Sequence, residues 1–439
     1  MRRSHPHLVR RGLKLALVLL FSTIFLFVAL FARTKRRPPH SSKPRILWGP
    51  IPIAGTQYYS RTCQSLGYQS NTLMYGRYVI SKAEDFDYYP ETLFPYMSKL
   101  PFFWLFYPYL CFLWALPKYE IHFHNFDGGL LRGTPLEYWE IRFRHLAGAK
   151  DVLYPYGGDV LRLDLTPGLL FKHALLTDYP HFGKIQPIVE RHVDHYLKFA
   201  DFIYVSVDSV DYLPYWNFIL MQLSAIDTDA VNPAKMKTGE LRQRYRDKKI
   251  VFHAPNHRHI KGTGMLITAC EELRAEGRDD FELVIYERQP NDAVLQGIHD
   301  SDIVADSFIH GVYGMFAIEG MALGKPVMCY LRPDLYELYS HYSWAKECPV
   351  VNTPLNRIKE NLVWLLDHTN ERERIGLAGR HFVEQHHSID AMGKIYDAII
   401  RKVWYGTNEL DLIRNQTDAR AGKLEQSSRG SHATASHRL

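Results

Sequence analysis

Short apolar runs bounded by turn residues alternate with helical stretches along almost all of the 439 residues, and this alternation limits the fold more than any other feature. "ILW" (46–48) reads as a buried strand, with Gly-Pro and Ala-Gly as its turn. A helix follows from about Gln57 to Leu66, then a second strand around "NTLMYG". A β-α-β opening favours a parallel sheet, whose neighbouring strands need a crossover connection. Further strands fall at "YEIHFHNF" (119–126), "KDVLYPYGG" (150–158) and "ADFIYVSV" (200–207). A second series starts near Lys248, with strands "KKIVFHAP", "FELVIYE", "DIVADSF" and "KPVMCYL" separated by helices and closed by amphipathic helices and a last helix at 389–405. The expected fold class is α/β, with two Rossmann-like β/α/β domains facing a cleft at the carboxyl ends of their strands. The expected division is 45–235 for the N-terminal domain, 240–388 for the C-terminal domain and 389–410 for a closing helix.

The ends of the chain differ from this body. Residues 15–32, "LALVLLFSTIFLFVALFA", are uncharged and long enough for a short membrane span. A cleaved signal peptide would have a shorter apolar core and small residues before its cleavage point, where Leu30 stands. One N-terminal transmembrane anchor is therefore expected, after a basic tail (1–14) and before a basic Pro/Ser-rich linker (33–44). Cations flank both sides, so the charge rule does not orient it. The expected location is a single-pass membrane protein, its body cytoplasmic in a bacterium or in the Golgi lumen in a eukaryote, where the sequon Asn415-Gln416-Thr417 could be used. Residues 411–439 read as a disordered polar tail. Residues 1–45 hold eleven Lys/Arg and no acid and the tail adds +2, so the net +6 leaves −7 over 46–410. An acidic body argues against a general nucleic-acid partner. The five scattered cysteines read as buried free thiols.

"LPFFWLFYPYLCFLWALP" (100–117) is the most apolar stretch of the body. Pro101, Pro108 and Pro117 argue against a second span. It reads either as a buried helix or as a helix partly exposed at a bilayer surface with Trp104, Tyr107 and Trp114 at headgroup level.

Two segments carry the chemistry. In "HAPNHRHIKGTG" (253–264) a strand ends at His253, and a loop bearing Arg258 and Lys261 leads into a helix. Helix N-terminal amides with two cations suit a diphosphate. In "GVYGMFAIEGMALGKP" (311–326), Gly311 and Gly314 permit close backbone approach, and a helix starts near Met315 with Glu319 one turn in. A carboxylate there can accept both hydroxyls of a ribose, or be a surface glutamate with no partner. His122 with His124, and His257 with His259, lack the Cys or carboxylate partners of a metal set, so neither a metal nor another cofactor is expected.

Taken together, these two segments resemble the retaining GT-B glycosyltransferases of family four, in a subgroup common in bacterial envelope-polysaccharide clusters. The resemblance spans roughly 45–405 and is strongest over 250–335. "GPIPIAGTQYYSRTCQSLGYQS", "YEIHFHNF" and "YGGDVLR" fall where that family has its first loop, an "HFHFG"-like strand and an "HGSDVR"-like turn. It implies a membrane-anchored enzyme that moves a sugar from a nucleotide-sugar donor to a glycan or lipid-linked acceptor. Arg258, Lys261 and Glu319 would be the catalytic set. His253, Asn256, Gly311, Val312, Tyr313, Gly314 and Met315 would bind the donor, and Gly49, Gly55, Tyr156 and Asp159 would lie on the acceptor side. Gly311 stands where the broader family has a glutamate, and Tyr156 where it often has a histidine. A GT-B sugar-nucleotide epimerase and a non-catalytic sugar-binding member of the fold remain alternatives.

Overall fold

The computed structural model describes residues 5–36, 42–53, 55–77, 83–339 and 344–410, with side chains from Leu15 onward. Residues 1–4 of the basic tail, residues 37–41 of the linker and the whole polar tail 411–439 with its sequon lie outside the described residues. The N-terminal half is built on a six-stranded parallel sheet ordered β2-β1-β3-β4-β5-β6, with β1 (Ile46–Trp48), β2 (Ser70–Thr72), β3 (Ile121–His124), β4 (Lys150–Leu153), β5 (Phe202–Ser206) and β6 (Phe218–Leu220). The C-terminal half has a five-stranded parallel sheet ordered β11-β10-β9-β7-β8, with β7 (Lys249–His253), β8 (Phe281–Ile285), β9 (Ile303–Ala305), β10 (Val327–Cys329) and β11 (Val351–Asn352). The α/β class with two facing Rossmann-like halves is as expected. The strands are shorter than the sequence suggested, and β6 and β11 were not anticipated.

Period-two alternation sorts the first sheet into two faces. Trp48, Phe123, Tyr154 and Tyr204 share one face, with the Trp48 and Phe123 rings stacked at 3.9 Å. This aromatic face is covered by the helix Gly55–Ser65 and by the last helix, Ile389–Tyr405, whose Met392, Tyr396 and Ile399 are buried there. The chain thus returns from the second half to finish the core of the first. At the crossover the Ile226 N–H donates to the His387 carbonyl at 2.8 Å, beside a parallel bridge between Ile226 and Ser388.

The opposite face of the first sheet holds a buried ionic cluster. Arg144 bonds Glu140 and Asp151, His124 Nε2 lies 3.0 Å from Asp151, and Glu140 accepts the Leu130 and Leu131 N–H groups at 2.7 Å. Every one of these ions is paired, which is what makes their burial tolerable.

The first helix, His5–Lys35, is long and apolar enough to cross a membrane. It is not tethered at a distance by a polar linker. Phe25, Ala29 and Ala32 are buried against Phe112, Phe143 and Ala147, and Phe21 stacks on Tyr109 at 4.1 Å. Just past the helix, Arg36 donates to the carbonyls of Leu116, Tyr119 and Ala147. The apolar segment in the body forms the helix Phe103–Ala115, with Pro108 inside it. One face of that helix is buried through Phe103, Tyr109 and Phe112, while Phe102, Trp104 and Leu105 at its start are exposed, so the segment is neither wholly buried nor wholly on the surface.

Candidate active site

A cavity of about 540 Å³ lies between the two halves. It is lined by the loops that follow the carboxyl ends of the strands: Ile53 and Gly55 after β1, Tyr154–Tyr156 after β4, Ser206 and Asp208 after β5, Asn256 after β7, Tyr286 and Arg288 after β8, and His310 to Glu319 after β9. Open parallel sheets bind ligands in the crevice outside the carboxyl ends of their strands.

Glu319 is the polar floor of the cavity. It sits in the helix Met315–Ala322, which begins where the Gly314 backbone is extended, and only 5 % of it is exposed. Its Oε1 accepts from Asn291 Nδ2 at 2.8 Å, and burial pushes the carboxyl up to about 7. Tyr58, from the N-terminal half, lines the same cavity; burial and then the nearby Glu319 charge raise its phenol to about 12. Asn256, Met315, Gly55 and Tyr156 also line the cavity. The Tyr156 hydroxyl donates to Asp127 at 2.7 Å.

The other residues singled out from the sequence lie elsewhere. His253 is fully buried, with Nδ1 donating to the Ala305 carbonyl at 2.7 Å and Nε2 against Thr263 Oγ1 at 2.9 Å. It clamps β7 to its neighbours and does not reach the cavity. Burial lowers it to about 4, so it is neutral. Asp159 is also sealed, accepting N–H groups from Phe126, Tyr156 and Gly157 at 2.9–3.0 Å. It shapes the turn that presents Tyr156. Gly49 has φ +141 and packs against the Leu73 backbone, leaving no room for a side chain. Val312 and Tyr313 point into the core, where the Tyr313 hydroxyl meets His387 at 2.9 Å. Gly311, at φ +92, packs on the Arg332 stem, and the Gly314 N–H donates to Asp306 at 3.3 Å. These backbone groups serve the loop itself.

The expected anion site at the start of the 258–261 helix is occupied from within the chain. Asp178, from the N-terminal half, accepts the Ile260 N–H at 2.9 Å and His259 Nδ1 at 2.7 Å. Arg258 pairs with Glu287 at 3.0 Å, and Lys261 pairs with the buried Asp306. Lys261 and Asp306 remain within electrostatic reach of His310, which does line the cavity. Two cations that the sequence reading passed over, Arg61 and Arg288, line the cavity directly and make no ion pair among the described residues. Arg288 is the non-glycine residue held at positive φ, +53°, in the described backbone. Such a conformation is costly, and it brings this side chain to the cleft. Arg61 stands in the quoted segment 49–70 but is not singled out there, and Arg288 lies in none of the quoted segments.

One cluster of metal-type ligands occurs among the described residues: His145, Asp151 and Asp201. It lies at the opposite, amino-terminal ends of β4 and β5, and its carboxylates already bond Arg144 and Lys150.

No protein-family model and no curated protein sequence matches the chain. Solved structures do. A glycosyltransferase from Rickettsia africae ESF-5 superposes with a TM-score of 0.52 at 13% identity, over 83% of this chain and all of that one. An Anabaena protein solved with UDP and glucose gives 0.52 at 11% identity, over 82% and 99%. A UDP-forming α,α-trehalose-phosphate synthase from Burkholderia vietnamiensis gives 0.51 at 10% identity, over 81% and 99%. The architecture shared with these proteins is GT-B: two parallel α/β halves, a cleft between them, and here a final helix returned to the first half.

Proposed function

We propose that the chain is a membrane-associated glycosyltransferase that transfers a sugar from a nucleotide-sugar donor to a glycan or lipid-linked acceptor, with retention of configuration, as a member of family four. The observation that carries this reading is the buried carboxylate of Glu319 at the floor of a cleft lined from both halves. A ribose can donate two hydroxyls to that carboxylate while Asn291 keeps it in place. Arg61 and Arg288 are the cations a diphosphate meets inside the cleft. Lys261, which acts electrostatically on the cavity-lining His310, and Arg258 would stabilise the departing nucleoside diphosphate, a preorganised electrostatic role that substitutes for a divalent ion. In this reading Asp306 keeps Lys261 aimed, and no metal or further cofactor takes part. Tyr156 and the loop at Gly55 face the donor side from the N-terminal half, where the acceptor would enter. Nucleic acid is not a partner in this scheme.

The test is donor turnover by the full-length protein. Nucleoside diphosphate release that depends on a lipid-linked acceptor and is insensitive to chelator is expected, with the anomeric configuration of the product read by NMR. Epimerised nucleotide sugar without acceptor would establish the epimerase alternative. Tight nucleotide-sugar binding with no turnover would establish a non-catalytic binding protein.

A further inference from the structure

We propose that the first helix lies along a membrane surface instead of across it, and that its outer face and residues 96–105 form one lipid-facing plate suited to a bilayer with anionic headgroups. This rests on the reading of the chain as membrane-bound and specifies how it is bound.

The inner face of the helix is occupied by protein from Val18 to Arg36. That stretch is about 27 Å long at 1.5 Å per residue, nearly the whole of the ~30 Å hydrocarbon core a span must cross. A crossing over 15–32 would carry the docked helix Glu140–Leu146 to hydrocarbon depth, and with it exposed Arg142, the neighbour of buried Phe143. A charged side chain facing lipid at that depth is costly.

The outer face has the composition of a lipid contact. Leu15, Leu19, Leu20, Leu26, Phe27, Leu30 and Phe31 are all exposed, and Thr23 among them turns its hydroxyl back to the Leu19 carbonyl. Six further exposed large apolar residues fall between Tyr96 and Leu105, so thirteen of the twenty-three in the described residues belong to these two segments. The segments are neighbours: Phe21 lies against Phe106 and Tyr109, which sets the start of the Phe103–Ala115 helix beside the first half of the long one. Charge agrees with an anionic partner. Arg33, Lys35, Lys99 and Lys118 flank the plate, and neither 1–45 nor 92–119 contains an acidic residue. An apolar face with cations at its ends and an exposed Trp suits the headgroup boundary of a bilayer; here the inner face of the helix is satisfied by protein where a free interfacial helix would turn charged residues to water.

The experiment places spin labels on full-length protein, in a Cys348→Ser background, at Leu19→Cys, Phe27→Cys and Phe31→Cys, bound to vesicles of phosphatidylcholine with phosphatidylglycerol. The two end positions are about 18 Å apart along the axis. A helix lying flat gives three similar, shallow depths of about 5–10 Å. Depths that differ by about 10 Å or more overturn the in-plane arrangement while leaving membrane binding intact. Absence of binding to any vesicle removes the membrane reading itself. Spin–spin contact without lipid would identify a second copy as the occupant and overturn the proposal. In parallel, Phe102→Ser with Trp104→Ser is expected to weaken partition about ten-fold or more with unchanged melting. Unchanged partition, or equal binding to pure phosphatidylcholine, would overturn the role of 96–105 or of the flanking cations.

Discussion

Asp159 in the N-terminal half and Glu319 in the C-terminal half are both buried carboxyls pushed up to about 7, yet they do different work. Asp159 is enclosed by three backbone N–H groups and holds a turn. Glu319 meets one side-chain amide and lines the cleft. The same contrast runs through the two halves. The N-terminal half commits its buried charge to its own architecture, in the cluster of Glu140, Arg144 and Asp151, and docks an apolar helix. The C-terminal half also has structural polar groups such as His253, but it places Glu319 and Asn291 in the space between the halves. A perturbed pKa therefore marks a buried site, and only its remaining hydrogen-bond capacity separates structure from function.

That contrast can be broken, and the sharpest instrument is Phe25→Ala. Phe25 is fully buried between the first helix and the body, so the change is expected to lower stability by about 3–5 kcal/mol while nucleotide affinity stays the same. An unchanged melting curve would show the helix to be an independent element. Lys261→Ala is expected to slow turnover by about 100-fold. Because it leaves the Asp306 carboxylate buried without its cation, the measurement is paired with Asp306→Asn carrying Lys261→Ala. Loss of turnover in a double variant that melts normally assigns the effect to chemistry, and recovery of turnover in it assigns the effect to folding. Next come the two carboxyls themselves. Glu319→Gln is expected to weaken nucleoside diphosphate binding by about 1–3 kcal/mol with little change in melting, whereas Asp159→Asn is expected to lower stability by a similar amount and leave binding alone. If both variants lose only stability, the two sites are alike and the contrast fails.

The smallest effect is in pH. A carboxyl whose folded pKa is raised binds its proton more tightly in the folded state, so Glu319 contributes to stability below about 4.5, and that contribution is lost as pH rises toward about 7. The slope of stability against pH over that window should be shallower in Glu319→Gln than in the parent. Nucleoside diphosphate affinity should rise through pH 7 more steeply in the parent than in Glu319→Gln, because ribose hydroxyls favour the ionised carboxylate. Parallel curves would remove Glu319 from the binding site.

Strand and helix alternation made the two halves legible, and the run "GVYGMFAIEGMALGKP" located the start of the Met315–Ala322 helix and Glu319. What escaped has physical causes. β11 has two residues, too short for a periodic signal, and β6, three residues long like β1, lies between Tyr215-Trp216 and Met221 in a largely apolar run with no alternation to mark it. His253 stands at a strand end, where a ligand and a strand clamp look alike until Thr263 and the Ala305 carbonyl are brought together. Asp178 takes the amides of the 258–261 helix from eighty residues away, and Arg288 reaches the cleft through a backbone conformation that no local residue pattern announces. The docked first helix was hidden by its own uniform apolarity. Phe25, Ala29 and Ala32 do recur on one face, but lipid and protein select the same residue types, so spacing alone could not say which of them was the partner.

The return of the Ile389–Tyr405 helix to the first sheet sets an order in time. When the ribosome has completed residue 235, the aromatic face of Trp48, Tyr154 and Tyr204 has no Tyr396 or Ile399 to cover it. At ordinary rates of synthesis the missing helix arrives on the order of ten to thirty seconds later, after every strand of the second sheet has been made. The unit that begins first is therefore finished last, and in that interval its stickiest surface depends on whatever else is at hand: the Gly55–Ser65 helix, a chaperone, or another nascent copy.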